Sequence, residues 1–247
     1  MNVPDGLGRG KSSSRARRAG AGLALLLGLA ACHPGPRPSA GVAPVAPAPA
    51  RARPTGPAYR IDAARSELRI LVYRAGALAR LGHNHVLVSR ALAGEVRLAT
   101  AGEWGGASFD LAFPVASLSV DEPALRAEEG AEFATQPTAA DIEGTRKNLL
   151  GPGVLDALNS PVVRVYGLTA AGEGTVNAHA MLEVRGHAAA VEVPLRVATR
   201  DGALTVSGGF GIAQSALGLT PFSVALGTLS VRDEIEVRFR ILAVPAT

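Results

Sequence analysis

Apolar and polar residues alternate through most of the chain after residue 58, as they do in strands that have one buried and one exposed face. The final run is the most regular, because every odd position of residues 235–241 is apolar and every even position is charged. Turn sequences such as Asp201-Gly202 separate the runs. The pattern predicts one all-β domain over residues 58–244, with about eight strands arranged as a sandwich or a closed barrel.

One segment interrupts the alternation and predicts a short helical insertion. Thr138 is followed three residues later by Asp141, the spacing of a capping box. We therefore expect a helix from about Ala139 to Leu150, ended by Gly151-Pro152. A further helical turn is predicted over Val154–Leu158, before the chain returns to a strand.

The first 31 residues have the features of a secretory signal peptide. A basic segment over residues 1–20 is followed by an apolar run at residues 21–31 and then by Cys32, the single cysteine. The apolar run is far shorter than the roughly 20 residues that a permanent membrane span needs. Leu29-Ala30-Ala31-Cys32 resembles the bacterial lipobox, which implies that Cys32 is acylated and becomes the new N-terminus. The alternative is an ordinary signal peptide followed by an incidental cysteine.

Residues 32–57 consist almost entirely of Pro, Ala, Gly and Arg and show no apolar period. Such a segment is typical of an extended tether, which would hold the domain away from a membrane anchored through Cys32. Two acyl chains suffice for stable anchoring. We therefore expect an exported protein at the periplasmic face of the cell envelope. The outer membrane is favoured, because His33 occupies the position where the usual inner-membrane retention signal has aspartate.

The charge of the mature chain argues against nucleic-acid binding. Residues 1–31 contain five of the 25 basic residues and one of the 21 acidic residues, so 20 of each remain after cleavage. A balanced chain lacks the basic surplus with which proteins engage phosphates. We expect no nucleic-acid partner.

Four segments of the domain match, in the same order, motifs that one protein family shares. Tyr59 to Ser66 looks like the family's opening Y-x-I-D-x-x-x-S, and Leu182 to His187 resembles its L-T-I-x-G-V strand and turn. Gly211 to Phe222 and Val231 to Val237 resemble two of its closing motifs. Together these segments, from Tyr59 to about Ala243, resemble the YceI-like family of polyisoprenoid-binding, lipocalin-like periplasmic proteins. The segment Leu81 to Val88 departs from the commoner pattern and indicates a subgroup that contains His-Asn-His.

This resemblance implies an extended, eight-stranded antiparallel barrel whose apolar lumen encloses an isoprenoid or other lipid. An eight-stranded barrel can hold one small ligand. The inward positions are mostly small and aliphatic, which would leave room in the lumen. The residues expected to bind the ligand are the inward apolar ones, with two histidines near the mouth: Leu68, Ile70, Val72, Phe109, Leu111, Phe113, His83 and His85.

His83 and His85 are also the candidate metal ligands. Residues two apart on a strand point to the same face, so two imidazoles can share one ion. A third ligand could be His179, His187 or an acid. Contact with a ligand head group and a purely structural role are the alternatives.

No nucleophile motif occurs in the domain, and it contains no cysteine. We therefore expect a binding protein without catalytic residues or cofactor. A metal-dependent enzyme centred on His83 and His85 and a packed interaction domain without a small ligand are the alternatives.

Overall fold

The structure, a computed structural model, describes residues 54–172 and 175–246. They lie in one compact unit, Arg51–Thr247, which contains the whole sheet and its core. The predicted signal peptide, Cys32 and most of the predicted tether lie outside the described residues.

The described part of the chain contains fourteen strands and two α-helices. The strands of the first half are β1 (Ala58–Ile61), β2 (Glu67–Val72), β3 (Arg74–Ala75), β4 (His85–Ser89), β5 (Ala93–Arg97), β6 (Ser108–Pro114) and β7 (Ser119–Val120). The helices α1 (Pro123–Glu128) and α2 (Ala139–Leu150) follow. The remaining strands are β8 (Val162–Gly172), β9 (Thr175–Val184), β10 (His187–Arg200), β11 (Ala203–Ala213), β12 (Ser223–Val224), β13 (Leu229–Val231) and β14 (Glu234–Pro245).

Eight antiparallel wall strands close into a barrel. Three of the eight are interrupted: β1 continues as β2, β4 as β5, and β6 as β7, and each pair follows the same course around the barrel. The sheet closes because β14 pairs with β1 and β2 on one side and with β11 on the other. Wall strands that follow one another along the chain are therefore adjacent in the barrel. The predicted all-β, lipocalin-like barrel is confirmed, and the sandwich alternative is wrong.

In the predicted alternation of the wall strands, the apolar side chains face the lumen and the polar ones face the outer surface. On β9, for example, Ala178, Ala180 and Leu182 are buried, whereas His179 is exposed. The main core lies inside the barrel and receives apolar side chains from every wall strand. Burial of these side chains is the dominant favourable contribution to folding.

The helical insertion lies between the third and fourth wall strands. The helix α2 has the predicted bounds, and Thr138 and Asp141 form both hydrogen bonds of the capping box. The predicted turn of helix over Val154–Leu158 is wrong: the chain forms irregular turns there, and Asp156 has a positive φ of 48°. The sequence analysis missed the helix α1, which is only six residues long and begins with proline at its first turn.

The helix α1 covers part of the barrel's outer surface. Leu125 and Phe133 pack against Leu71, Val86 and Val88 in a second, smaller core. These strand residues point away from the lumen. The wall formed by β2 and β4 is therefore buried on both faces, which explains its nearly continuous apolar sequence.

A small sheet, in the order β12-β13-β3, lies at the end of the barrel where β2 ends and β14 begins. No helix among the described residues is long and apolar enough to cross a membrane.

The last four residues of the predicted tether lie against the barrel. The backbone N–H of Leu98 donates to the Pro57 carbonyl at 3.1 Å, and Arg97 donates to the Gly56 carbonyl at 3.3 Å. A Cβ atom on Gly56 would lie only 2.4 Å from the Leu98 carbonyl oxygen, so this close approach needs glycine.

Candidate ligand-binding lumen

The barrel encloses a cavity of about 190 Å³. Its lining comes from all eight wall strands and is apolar, apart from Thr169 and the indole of Trp104. The Thr169 hydroxyl already donates to the Trp104 carbonyl oxygen. Cavities of about 150 Å³ with apolar walls stay dry and admit molecules such as benzene. The lumen can therefore accept hydrocarbon, but it has almost no polar group with which to bind a polar molecule.

Two pairs of glycine and phenylalanine help to keep this space open. Gly167 lies opposite Phe109 on the neighbouring strand, and Gly208 lies opposite Phe239. A Cβ atom on either glycine would lie 2.9 Å from the Cζ atom of its phenylalanine. Each ring therefore lies against the backbone of the next strand, along the wall, where it occupies less of the lumen.

Most of the apolar residues predicted to bind ligand do line the cavity: Leu68, Ile70, Phe109, Leu111 and Phe113. Val72 packs against the main core but lies outside the cavity lining. His83 and His85 lie outside it too, at the start of the second wall strand. The lining also includes Trp104, whose turn-like sequence setting predicts a residue of a loop or of the barrel mouth.

His85 is held by a buried carboxylate. Its Nδ1 atom lies 2.7 Å from Oδ2 of Asp121, and the other carboxylate oxygen accepts the backbone N–H of Val86 at 2.9 Å. The Asp121 side chain is fully buried. Burial alone would raise the pKa of Asp121, but the bonds from His85 and Val86 and the nearby Arg126 outweigh it, so the pKa lies below its ordinary value.

Arg126 completes this polar cluster and ties the helical insertion to the barrel. Its guanidinium, also fully buried, lies 2.5 Å from Asp121 Oδ1 and donates to the carbonyl oxygens of Asn84, Phe133 and Thr135. These carbonyl bonds satisfy both terminal nitrogens of the guanidinium and so offset the cost of burying the ion pair, whereas its Nε has no hydrogen-bond partner among the described residues. We name Asn84, His85, Asp121 and Arg126 the buried polar cluster.

His83 and His85 are close to each other, and each has its own acidic neighbour: His83 Nε2 lies 3.9 Å from Asp141 Oδ2, whereas His85 pairs with Asp121. The ring centroids of His83 and His85 are 6.3 Å apart. His179 lies exposed on β9, and His187 is the first residue of β10 and lies against Gly218. No group of three or more metal-ligating side chains occurs among residues 54–172 and 175–246. A metal bound by His83 and His85 stays a prediction, and it would have to complete its coordination with other ligands.

The hydrogen bond between His85 and Asp121 is the feature of this region that the sequence analysis missed. A carboxylate that accepts from a histidine ring orients the ring and selects its tautomer. The two residues are 36 positions apart. The unusual backbone at Asp121, with a φ of 56°, has no distinctive sequence signal, because aspartate is merely tolerant of this conformation.

Comparison with known proteins gives a likeness in structure only. No family model matches the chain, and no curated protein is significantly similar to it in sequence. The crystal structure of BcnA from Burkholderia cenocepacia is similar with a TM-score of 0.53 at 19% identity, over 76% of this chain and 99% of BcnA. The YceI protein of Campylobacter jejuni gives a TM-score of 0.43 at 11% identity, over 63% of this chain and 81% of the other.

BcnA is a YceI-like protein, and its likeness covers the described barrel almost completely. At 19% identity this likeness concerns the fold and carries no information about the ligand. The chain therefore has the fold of the YceI-like family, as its motifs predicted.

Proposed function

We propose that this chain binds an isoprenoid or similar apolar lipid inside the barrel and carries or sequesters it in the cell envelope. The observation that supports this proposal is the apolar cavity of about 190 Å³ that runs among side chains of all eight wall strands. A domain that served only as a packed interaction module would fill this space, because protein interiors are normally close-packed.

The chemistry of the lining favours hydrocarbon over other ligands. Each buried methylene group contributes about 0.8 kcal/mol, so ten would contribute about 8 kcal/mol without any hydrogen bond. Association costs on the order of 4–15 kcal/mol. A chain of many methylene and methyl groups meets that cost in an apolar lumen with a wider margin than a short ligand does. Binding is favoured over catalysis, since no titratable side chain lines the cavity.

The test is a single charge placed in the lumen. We expect Leu111→Arg to abolish binding of a polyprenol or an apolar fluorescent probe, because a charge buried in the lumen would be unpaired. The matched control is Ala198→Arg, which places the same charge on an exposed position of β10. Binding is measured by titration, and the thermal unfolding of both variants shows that they are folded.

Native mass spectrometry of the protein purified without added lipid would identify the ligand. An adduct of several hundred daltons that extracts into organic solvent supports the proposal. Undiminished binding of polyprenol by folded Leu111→Arg would refute a lumenal site.

We further propose that the protein is exported and anchored through acylated Cys32, with the outer membrane favoured. The support is the lipobox-like sequence at residues 29–32, which lies outside the described residues. Cys32→Ser should prevent incorporation of labelled palmitate and move the protein from the membrane fraction to the soluble periplasm. If the wild-type protein incorporates no label and the variant has the same membrane fraction as the wild type, the cysteine is incidental.

A further inference from the structure

The large apolar side chains that the described structure leaves exposed all lie at one end of the barrel. They precede or begin strands at the end where β2 finishes and β14 starts: Leu81, Leu158, Val162, Val224 and Leu226. Leu226 is fully exposed and Leu81 is 64% exposed. Exposed leucine alone needs no explanation, but a concentration at one end of a molecule indicates a surface that contacts something apolar.

Three of these residues belong to what we call the tip, defined as residues 74–82 and 222–232. Its outermost turn has an unusual backbone, since Ala225, Leu226 and Gly227 have φ values of 51°, 56° and 85°. Two consecutive non-glycine residues in the left-handed region cost conformational energy. This turn projects Leu226 away from the protein, where it makes no contribution to the core.

The tip is firmly attached to the barrel. The strands β3 and β13 pair within it, and Leu78 donates its backbone N–H to the Thr228 carbonyl at 2.7 Å. The Arg232 guanidinium lies 5.2 Å from the ring centroid of Tyr73. The two segments therefore present their exposed side chains from a defined surface.

The tip is also basic. It contains Arg74, Arg80 and Arg232 and no acidic residue. Asp233, the next residue, accepts hydrogen bonds from the backbone N–H and the hydroxyl of Ser215 at 2.8 and 2.5 Å. Exposed leucine and valine beside arginines, without acids, form the combination that binds the boundary between anionic lipid head groups and acyl chains.

We propose that the tip docks on an anionic lipid bilayer, with Leu81, Val224 and Leu226 entering the head-group boundary and the exposed Arg80 and Arg232 meeting lipid phosphates. A stable protein interface needs a broad surface of about 800 Å² per partner. The tip is a narrow projecting turn, and that shape is better suited to insertion into lipid. Leu217 and Leu219, which line the cavity, immediately precede the tip. Docking would place this end of the barrel at the bilayer, whatever the lumen holds.

The test uses residues 51–247, the compact unit that contains the whole barrel and core, so that acylation at Cys32 cannot contribute. Sedimentation with phosphatidylglycerol–phosphatidylcholine vesicles should show binding that weakens at high salt and with pure phosphatidylcholine. The double variant Leu81→Glu and Leu226→Glu should bind about tenfold more weakly or worse, because apolar burial is replaced by repulsion. The matched control carries both Ala101→Glu and Ala198→Glu, which place the same two charges on exposed positions after β5 and near the end of β10, away from the tip.

Equal vesicle binding by the double variant and its parent, or no binding by the parent, would overturn the proposal. A concentration-dependent dimer that the double variant abolishes, without vesicle binding, would assign the tip to a second copy instead. The Leu111→Arg variant separates this inference from the proposed function, since it should lose the lumenal ligand and still bind vesicles. Thermal unfolding confirms that each variant is folded.

Discussion

At the scale of single residues, Asp121 connects more of the structure than its place in a short link between a strand and a helix suggests. It accepts from His85, Val86 and Arg126, which belong to β4 and α1. Its backbone is left-handed, with a φ of 56°, and its side chain is fully buried. The buried polar cluster therefore depends on one carboxylate remaining ionised.

We expect Asp121→Asn to lower the free energy of unfolding by about 3–5 kcal/mol near neutral pH, because it leaves Arg126 as a buried charge without its partner. The folded-state pKa of Asp121 lies below the ordinary value of 3.8, so its contribution to stability is fully present above that pH. The contribution is lost as the pH falls through the folded-state pKa. The difference between wild type and variant should therefore shrink below about pH 4.

Urea unfolding between neutral and acidic pH measures this difference. The control is Asp201→Asn, since Asp201 also has a positive φ, 51°, but lies exposed in a turn. We expect the control to change stability by less than about 0.5 kcal/mol. A pH-independent loss in Asp121→Asn would show that the ionised carboxylate is not the source of its effect.

At the scale of elements, the helix α1 shows how charge fastens an insertion onto an apolar surface. Glu129, which follows α1 and whose side chain is 4% exposed, bridges Arg69 of β2 at 2.5 Å and Arg238 of β14 at 2.6 Å. Glu128 also pairs with Arg69, at 3.0 Å, but its side chain is 59% exposed. Glu129 should therefore contribute more to stability than Glu128, because solvent screens the exposed ion pair of Glu128.

We expect Glu129→Gln to lower the free energy of unfolding by about 2–3 kcal/mol, since it removes a buried carboxylate that pairs with both Arg69 and Arg238, while Arg69 keeps its pair with Glu67. Glu128→Gln should cost less than about 1 kcal/mol. Chemical denaturation measures both variants under the same conditions. Equal losses of unfolding free energy in the two variants would mean that the buried ion pairs of Glu129 stabilise the protein no more than the exposed pair of Glu128 does.

At the scale of the whole molecule, changes of side-chain volume in the lumen should affect the stability of the barrel and its binding of ligand differently. Ala180 and Leu182 point into it from the same strand, β9. A larger side chain at Ala180 would occupy space that the ligand needs, whereas a smaller one at Leu182 would enlarge the cavity. The two changes therefore act in opposite directions on the same volume.

We expect Ala180→Phe to weaken binding of a polyprenol or apolar probe by about tenfold or more, because it displaces hydrocarbon contacts, while changing stability by less than about 2 kcal/mol. Leu182→Ala should lower stability by about 2–5 kcal/mol and retain binding. Titration and thermal unfolding of the pair test this. If each variant lost binding in proportion to its loss of stability, a preformed lumenal site would be contradicted.

The extent of sequence prediction differs among these features. Strand alternation and the capping box at Thr138 and Asp141 are local signals, so both could be predicted and both are confirmed. The helix α1 was missed because six residues have little periodicity of their own. The turns at residues 154–158 were mistaken for helix, because apolar spacing there reflects packing of Val154 and Leu155 against the core.

The sequence by itself determined which residues face inward, because a period of two assigns each side chain of a strand to one face. It also determined that the inward side chains are mostly aliphatic. Only the tertiary structure decided that the wall closes, since pairing of β14 with β1 joins residues from opposite ends of the domain. It likewise decided that Val72, His83 and His85 lie outside the cavity lining and that Trp104 lies within it. Faces follow from local geometry, whereas cavities and buried ion pairs arise from contacts between residues distant in sequence.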